Sequence, residues 1–132
     1  MAHDSGKQQE GRIRSFTDLR VWKEGRKLVQ MIYDITRHFP PEEKFGLASQ
    51  LQRAVVSVTS NIAEGFAKRT MREKRQFFNT SLSSLMETQN QLVISHDIGY
   101  VSSEKFTTAA AQTVVVSKML NGLWRTAKDK AQ

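Results

Sequence analysis

The sequence predicts an all-α protein, an antiparallel up-down-up-down four-helix bundle. Three observations lead there. Apolar residues recur at spacings of three and four in four successive segments. The only two prolines stand together as Pro40–Pro41. Serine, threonine and glycine sit at the places where helices start and stop, and the connections between segments are short.

Residues 1–14 are polar and aperiodic and are expected to form a disordered tail, with the bundle spanning 15–128 and the C-terminus fraying over 129–132. The first helix is expected to open near Ser15, where Ser15 and Asp18 have capping-box spacing. It carries Leu19, Trp22, Val29, Ile32, Tyr33 and Thr36 to about Phe39, where Pro40–Pro41 stops it. A second helix begins around Glu42–Phe45, with a stripe of Leu47, Leu51, Ala54, Val58, Ile62 and Gly65. The third opens at Thr70, with Glu73 three residues on, and runs through Phe77, Phe78, Leu82, Leu85, Leu92 and Ile94 to Gly99. The fourth opens at Ser102 or Ser103 and uses Phe106, Ala109, Thr113, Val116, Leu120 and Leu123.

Composition narrows the function classes. The chain has 132 residues, enough for one self-sufficient core, and no cysteine, so neither disulfides nor a thiolate zinc site are available. No apolar run is long enough to span a membrane, and the N-terminus lacks the apolar stretch of a signal peptide, so a cytoplasmic protein is expected. The net charge of +7 makes an anionic partner plausible. The three histidines, His3, His38 and His96, are scattered, and neither Glu64 nor Glu87 is followed three residues later by histidine. A carboxylate-bridged metal site therefore fails on ligand count. With no G-x-S-x-G and no phosphate-cradling glycine loop, a non-enzymatic protein without cofactors is expected; Ser81, Ser83 and Ser84 read as small packing residues.

Charge is unevenly spread. Residues 45–67, 76–96 and 106–124 hold only Arg53, Glu64, Glu87 and Lys118 as charged side chains. A monomeric bundle would place charges on the outer face of every helix. The face of helix two opposite its apolar stripe instead carries Ser49, Gln52, Val56, Ser60, Ala63 and Ala67. Burial of these faces in a homo-oligomer is the expectation. Beside the stripe runs a polar ridge of Gln50, Arg53, Ser57, Asn61 and Glu64, matched on helix three by Ser84, Glu87 and Gln91. Arg53, Asn61, Glu64, Ser84 and Glu87 are expected to form an interhelix or intersubunit network, because unpaired buried charges are costly.

Several of these residues belong to longer motifs: F-x-D-L-x-V-W from Phe16 to Trp22, F-P-x-E-E-x-F-G-L from Phe39 to Leu47, Q-L-x-R-A from Gln50 to Ala54, and S-N-I-A-E-G from Ser60 to Gly65. Ser84, Glu87, Gln91–Leu92 and Gly99–Tyr100 support them. Over about residues 15–126 the chain resembles the four-helix-bundle proteins first noticed in intervening sequences of bacterial 23S ribosomal RNA genes. The resemblance implies a ring, typically a homopentamer, and a nucleic-acid connection, since relatives assist reverse transcription in retroelements.

The basic residues supply a second route to the same partner. Between helices two and three, Lys68, Arg69, Arg72, Lys74 and Arg75 outweigh Glu73, and helix one adds Arg20, Lys23 and Lys27. Helix N-termini favour anions, so this corner suits phosphate. Contacts of that kind are salt-sensitive and blind to sequence, with RNA favoured over DNA here through the resemblance. The aromatic residues, Trp22 among them, read mostly as core, with Trp124 at a bundle end or an interface, leaving no base-stacking platform. The competing reading is an assembly scaffold that binds a protein partner, with the cations serving solubility.

Overall fold

Short links force consecutive helices to fold back on one another. The computed structural model describes residues 13–131, and within them four helices follow in order: α1 (Arg20–Thr36), α2 (Leu47–Ala67), α3 (Met71–Asp97) and α4 (Ser103–Ala131). Their cross-links run in opposite chain order. Ser57 meets Ser84 while Gln50 meets Gln91 across α2 and α3. Glu24 meets Gln112 while Asp34 meets Lys105 across α1 and α4. Thr36 meets Gln52 while Gly25 lies against Thr59 across α1 and α2, so the bundle is all-α and up-down-up-down, and Leu28, Ile32, Leu51, Val58, Ile62, Leu85, Leu92, Val116 and Leu120 fill its centre. The tail expected over 1–14 falls almost entirely outside the described residues.

Helix boundaries follow their caps. The capping box of Ser15 and Asp18 is present, but it closes a 3-10 turn, Phe16–Asp18. Leu19 is extended, and α1 starts one residue later. The box is satisfied inside a single turn, so it cannot also start the longer helix, and Phe16 folds back edge-on against Trp22 at 5.3 Å. The entry to α2 shifts in the same way. Pro41–Glu43 is a 3-10 turn, and the Glu43 carboxylate accepts the Leu47 N–H at 3.1 Å and the Tyr100 hydroxyl at 2.9 Å. That second bond pins the α3–α4 connection to the start of α2 and raises the Tyr100 pKa. Thr70 caps α3 by accepting from the Glu73 N–H. The end of α3 is a Schellman turn: Gly99 has φ +88°, its N–H donates to His96 and that of Tyr100 donates to Ser95. Ser102 Oγ accepts from Lys105 N–H at the start of α4, which stays helical through Ala131 where fraying was expected.

The buried face of α1 is rotated from the expected stripe. Val21, Gly25, Leu28, Ile32 and Ile35 point inward, while Tyr33 is exposed and Trp22 lies at the margin. On α3 the inward face is unusually polar, with Ser81, Ser84, Thr88, Gln91 and Ser95 all buried. Buried hydroxyls need partners, and here they have them. Ser81 donates to Val58 O at 2.7 Å, Thr88 to Ser84 O and Ser95 to Gln91 O. Their small size brings α3 close to α2. Gly65 completes this approach: a Cβ there would sit 2.7 Å from a ring carbon of the buried Phe78 and 3.1 Å from Phe77 Cβ.

Gly65→Ala should therefore lower stability by about 1–3 kcal/mol, the usual cost of overpacking a close contact, measured by chemical denaturation. A pH dependence also follows. Hydrogen bonds from Gln112 and Lys27 hold the Glu24 pKa below its ordinary value, and Lys105 does the same for Asp34. Lowered carboxylate pKa values stabilise the fold above the ordinary carboxylate range, and that stabilisation is lost as pH falls through and below it. The melting temperature should hold from neutral pH down to that range and decline beneath it. A Glu24→Gln/Asp34→Asn variant should decline less.

Candidate functional site

Alternating helix direction gathers the start of α1, the end of α2, the start of α3 and the end of α4 at one end of the bundle. An apolar hollow touched by Leu19, Phe66, Met71, Phe78, Leu123 and Ala127 shows all four meeting there. Charge is collected with them. This end carries Arg20 and Lys23 from α1, Lys68 and Arg69 from the α2–α3 link, Arg72, Lys74 and Arg75 from α3, and Arg125, Lys128 and Lys130 from α4. Against them stand Asp18, Glu64, Glu73 and Asp129. The opposite end holds Asp34, Glu42, Glu43, Asp97 and Glu104 against Arg37, Lys44 and Lys105. The bundle is thus electrostatically polar along its axis.

The eight expected cations differ in what their charged groups do. Lys74 donates to Phe66 O at 2.7 Å and to Gly65 O at 3.3 Å, capping the last carbonyls of α2 where the helix dipole is negative. Lys68 lies over the Phe77 ring at 5.0 Å. Lys27 pairs with Glu24 at 3.1 Å, and the charge of Arg20 also bears on Glu24. Lys23 is exposed and acts on Asp18, whose pKa is lowered first by the Arg14 N–H bond. Arg69 and Arg72 are exposed, Arg75 is half-buried, and none of the three forms an ion pair among the described residues. Arg125, Lys128 and Lys130 were missing from the sequence-based set. Their signal was the topology itself, because α4 ends where α2 ends.

The polar ridge resolves into two groups. Ser57 and Ser84 share a 2.8 Å hydrogen bond across α2 and α3, and Asn61 donates to both Ser57 O and Ser57 Oγ. Arg53, Glu64 and Glu87 are exposed and form no ion pair with one another or with other described residues. Arg53, Ser57, Asn61 and Glu64, with Tyr33 and Val56, line a shallow groove of about 510 Å³ along the outside of α2. Large apolar side chains are also exposed: Phe45 at 89% and Met86 at 69%, with Val93, Ile94, Ile98, Val114 and Val115. Among the described residues no group of three His, Cys, Asp or Glu side chains converges, and no helix is long and apolar enough to cross a membrane.

With this geometry in hand, the comparison with protein families is decisive. The model of the 23S rRNA-intervening sequence proteins matches residues 17–122, nearly the whole bundle. The chain belongs to that family. A crystal structure of a protein of unknown function from the S23 ribosomal protein family of Bacteroides thetaiotaomicron has the same fold. It is 17% identical, with a TM-score of 0.73 covering 79% of this chain and 97% of that one. The comparison with curated proteins found no match. For this intervening-sequence protein the S-N-I-A-E-G motif now has a physical account: Asn61 braces the serine bridge, Ile62 fills the core, and Gly65 admits the Phe78 ring.

The two kinds of cation separate in a stability measurement. Lys74→Met should cost about 1 kcal/mol or more, since a charge-assisted cap is lost. Arg72→Gln should stay within about 0.5 kcal/mol, as exposed surface changes do. Thermal denaturation of the two variants checks this.

Proposed function

We propose that the protein is a non-enzymatic, cytoplasmic, oligomeric nucleic-acid-binding protein, with RNA the favoured ligand, held through phosphate contacts at the basic end of the bundle. The observation that carries this reading is the convergence of four helix termini into one cationic end, with Arg69, Arg72 and Arg75 making no ion pair among the described residues. These three are the phosphate ligands, joined by Lys68 and Lys23, and by Arg20 and Lys27 at the margin. Lys74 positions them by tying α3 to the end of α2. Family membership supports RNA over DNA only through the family's name.

Oligomerisation is part of the proposal, with a homopentameric ring as the arrangement implied by the resemblance. Its support is the exposure of Met86, Val93, Val114 and Val115 on helix faces almost without charge. Arg53, Glu64 and Glu87, which form no ion pair among the described residues, are then available to pair between chains. A ring repeats the basic end around its axis, so weak phosphate contacts add by avidity. The exposed Phe45 favours a second reading, an adaptor that docks a protein partner.

Salt separates the readings. Fluorescence anisotropy with labelled RNA, run beside light scattering, should show an oligomer whose affinity falls steeply with salt. Replacing Arg69, Arg72 and Arg75 by Gln should reduce the slope of log K against log salt by about 2–3. No RNA or DNA binding at low salt would leave the adaptor, and a monomer in scattering would remove the ring.

A further inference from the structure

The cations of the basic end fall into two banks. One is the α2–α3 corner, with Lys68, Arg69, Arg72 and Arg75. The other is the last turns of α4 beside the start of α1, with Arg125, Lys128 and Lys130 next to Arg20 and Lys23. Between the banks lies the apolar hollow of about 170 Å³, walled by Phe66, Met71 and Phe78 on the first side and by Leu19, Leu123 and Ala127 on the second. Among the described residues, Lys74 is the one cation in its wall, and that ammonium is committed to the Gly65 and Phe66 carbonyls. The basic end is thus two charged rims around an uncharged middle, carried by helices whose axes pack about 8–10 Å apart.

Unpaired bases would gain little here. Trp22, Phe66, Phe77 and Trp124 are half-buried, and a cation lies over each ring: Arg26 at 5.3 Å, Lys74 at 5.7 Å, Lys68 at 5.0 Å and Lys128 at 5.3 Å. Stacking needs an open ring face. The exposed aromatic side chains among the described residues, Tyr33 and Phe45, lie toward the acidic end. The cleft of about 450 Å³ between α1 and α4 has aliphatic walls from Leu19, Val21, Met119 and Leu123, with no ring among its residues.

What remains for the ligand to offer is phosphate. A duplex carries it most densely, one charge per about 1.7 Å of axis, in two rows that flank each groove. The helix spacing that separates the two banks is of the same order as those grooves, about 6–12 Å wide in B-form DNA. We propose that the basic end takes double-stranded nucleic acid, the α2–α3 corner meeting the phosphates of one strand and the α4–α1 bank those of the other, with the apolar hollow facing the groove between them. The bases stay paired and unread. This inference rests on the nucleic-acid reading and narrows it to one strand form.

The test uses the full chain and a labelled, unstructured RNA of about 20 nucleotides, alone and annealed to its complement, at matched salt. The duplex should bind about tenfold tighter at low salt, and its slope of log K against log salt should be the steeper, in a ratio of about 0.9 to 0.7 for equal contacts. Tryptophan fluorescence should not be quenched by the single strand, because neither tryptophan offers a stacking face. Two variants test the two banks separately, Arg69→Gln/Arg72→Gln and Arg125→Gln/Lys128→Gln. All four side chains are exposed, so the fold and melting temperature should be kept. Each variant alone should bring duplex affinity down to that of the single strand, since one bank engages one strand. Single-strand binding as tight as duplex binding, quenching confined to the single strand, or a duplex preference that survives in either variant would overturn the inference and leave phosphate binding standing. Absence of binding to both forms at low salt would remove the proposed function and this inference together.

Discussion

The link Lys68–Arg69–Thr70 is too short to let α3 do anything but reverse along α2, and much of the molecule depends on that reversal. It brings the negative end of α2 against the first turns of α3, where Lys74 reaches back to the Gly65 and Phe66 carbonyls. The same corner needs Gly65, because the Phe78 ring occupies the space a Cβ would fill. A cationic start to α3 would by itself oppose the helix dipole by a few tenths of a kcal/mol per charge. One of its cations is instead stabilised by the neighbouring helix's carbonyls.

Above that corner, α2 and α3 are held by small polar side chains. Leucines along the whole of α3 would push the helices apart; Ser81, Ser84, Thr88 and Ser95 allow close approach, and each hydroxyl has a partner in a nearby backbone carbonyl or in Ser57. Satisfied in this way, the buried hydroxyls carry little penalty. Gln91 is the exception: its Oε1 is buried and has no partner, while its Nε2 reaches Gln50 at 3.4 Å. That residue lies along the same seam as the exposed Arg53 and Glu87, which form no ion pair among the described residues.

The proposed function rests on the axial asymmetry of charge. At the acidic end, Asp34 is already bonded to Lys105 and near Arg37, and Glu43 is committed to Tyr100 and the α2 N-terminus. At the basic end, the arginines outnumber their possible partners. A surface with that imbalance attracts polyanions from a distance.

The sequence by itself determined the four helices, their order and their core residues on α2 and α4, because periodicity, prolines and caps are local signals. Thr70, Gly99 and Ser102 mark real helix ends for the same reason. Family motifs were equally legible, and the family match covers nearly all of the bundle. Local signals also misplaced two helix starts: Ser15 and Asp18 satisfy each other within a 3-10 turn, and Glu43 is drawn into a bond with Tyr100, 57 residues away. Only the tertiary structure separated Lys74, a structural cap, from Arg72, an open cation two residues earlier, since the difference lies in the carbonyls of another helix. It alone rotated α1 so that Trp22 lies at the margin of the core, edge-on to Phe16, while Tyr33 is exposed. Which side chains meet at a bundle end depends on how whole helices are packed, and that sum of many weak contacts is not written in any one stretch of the chain.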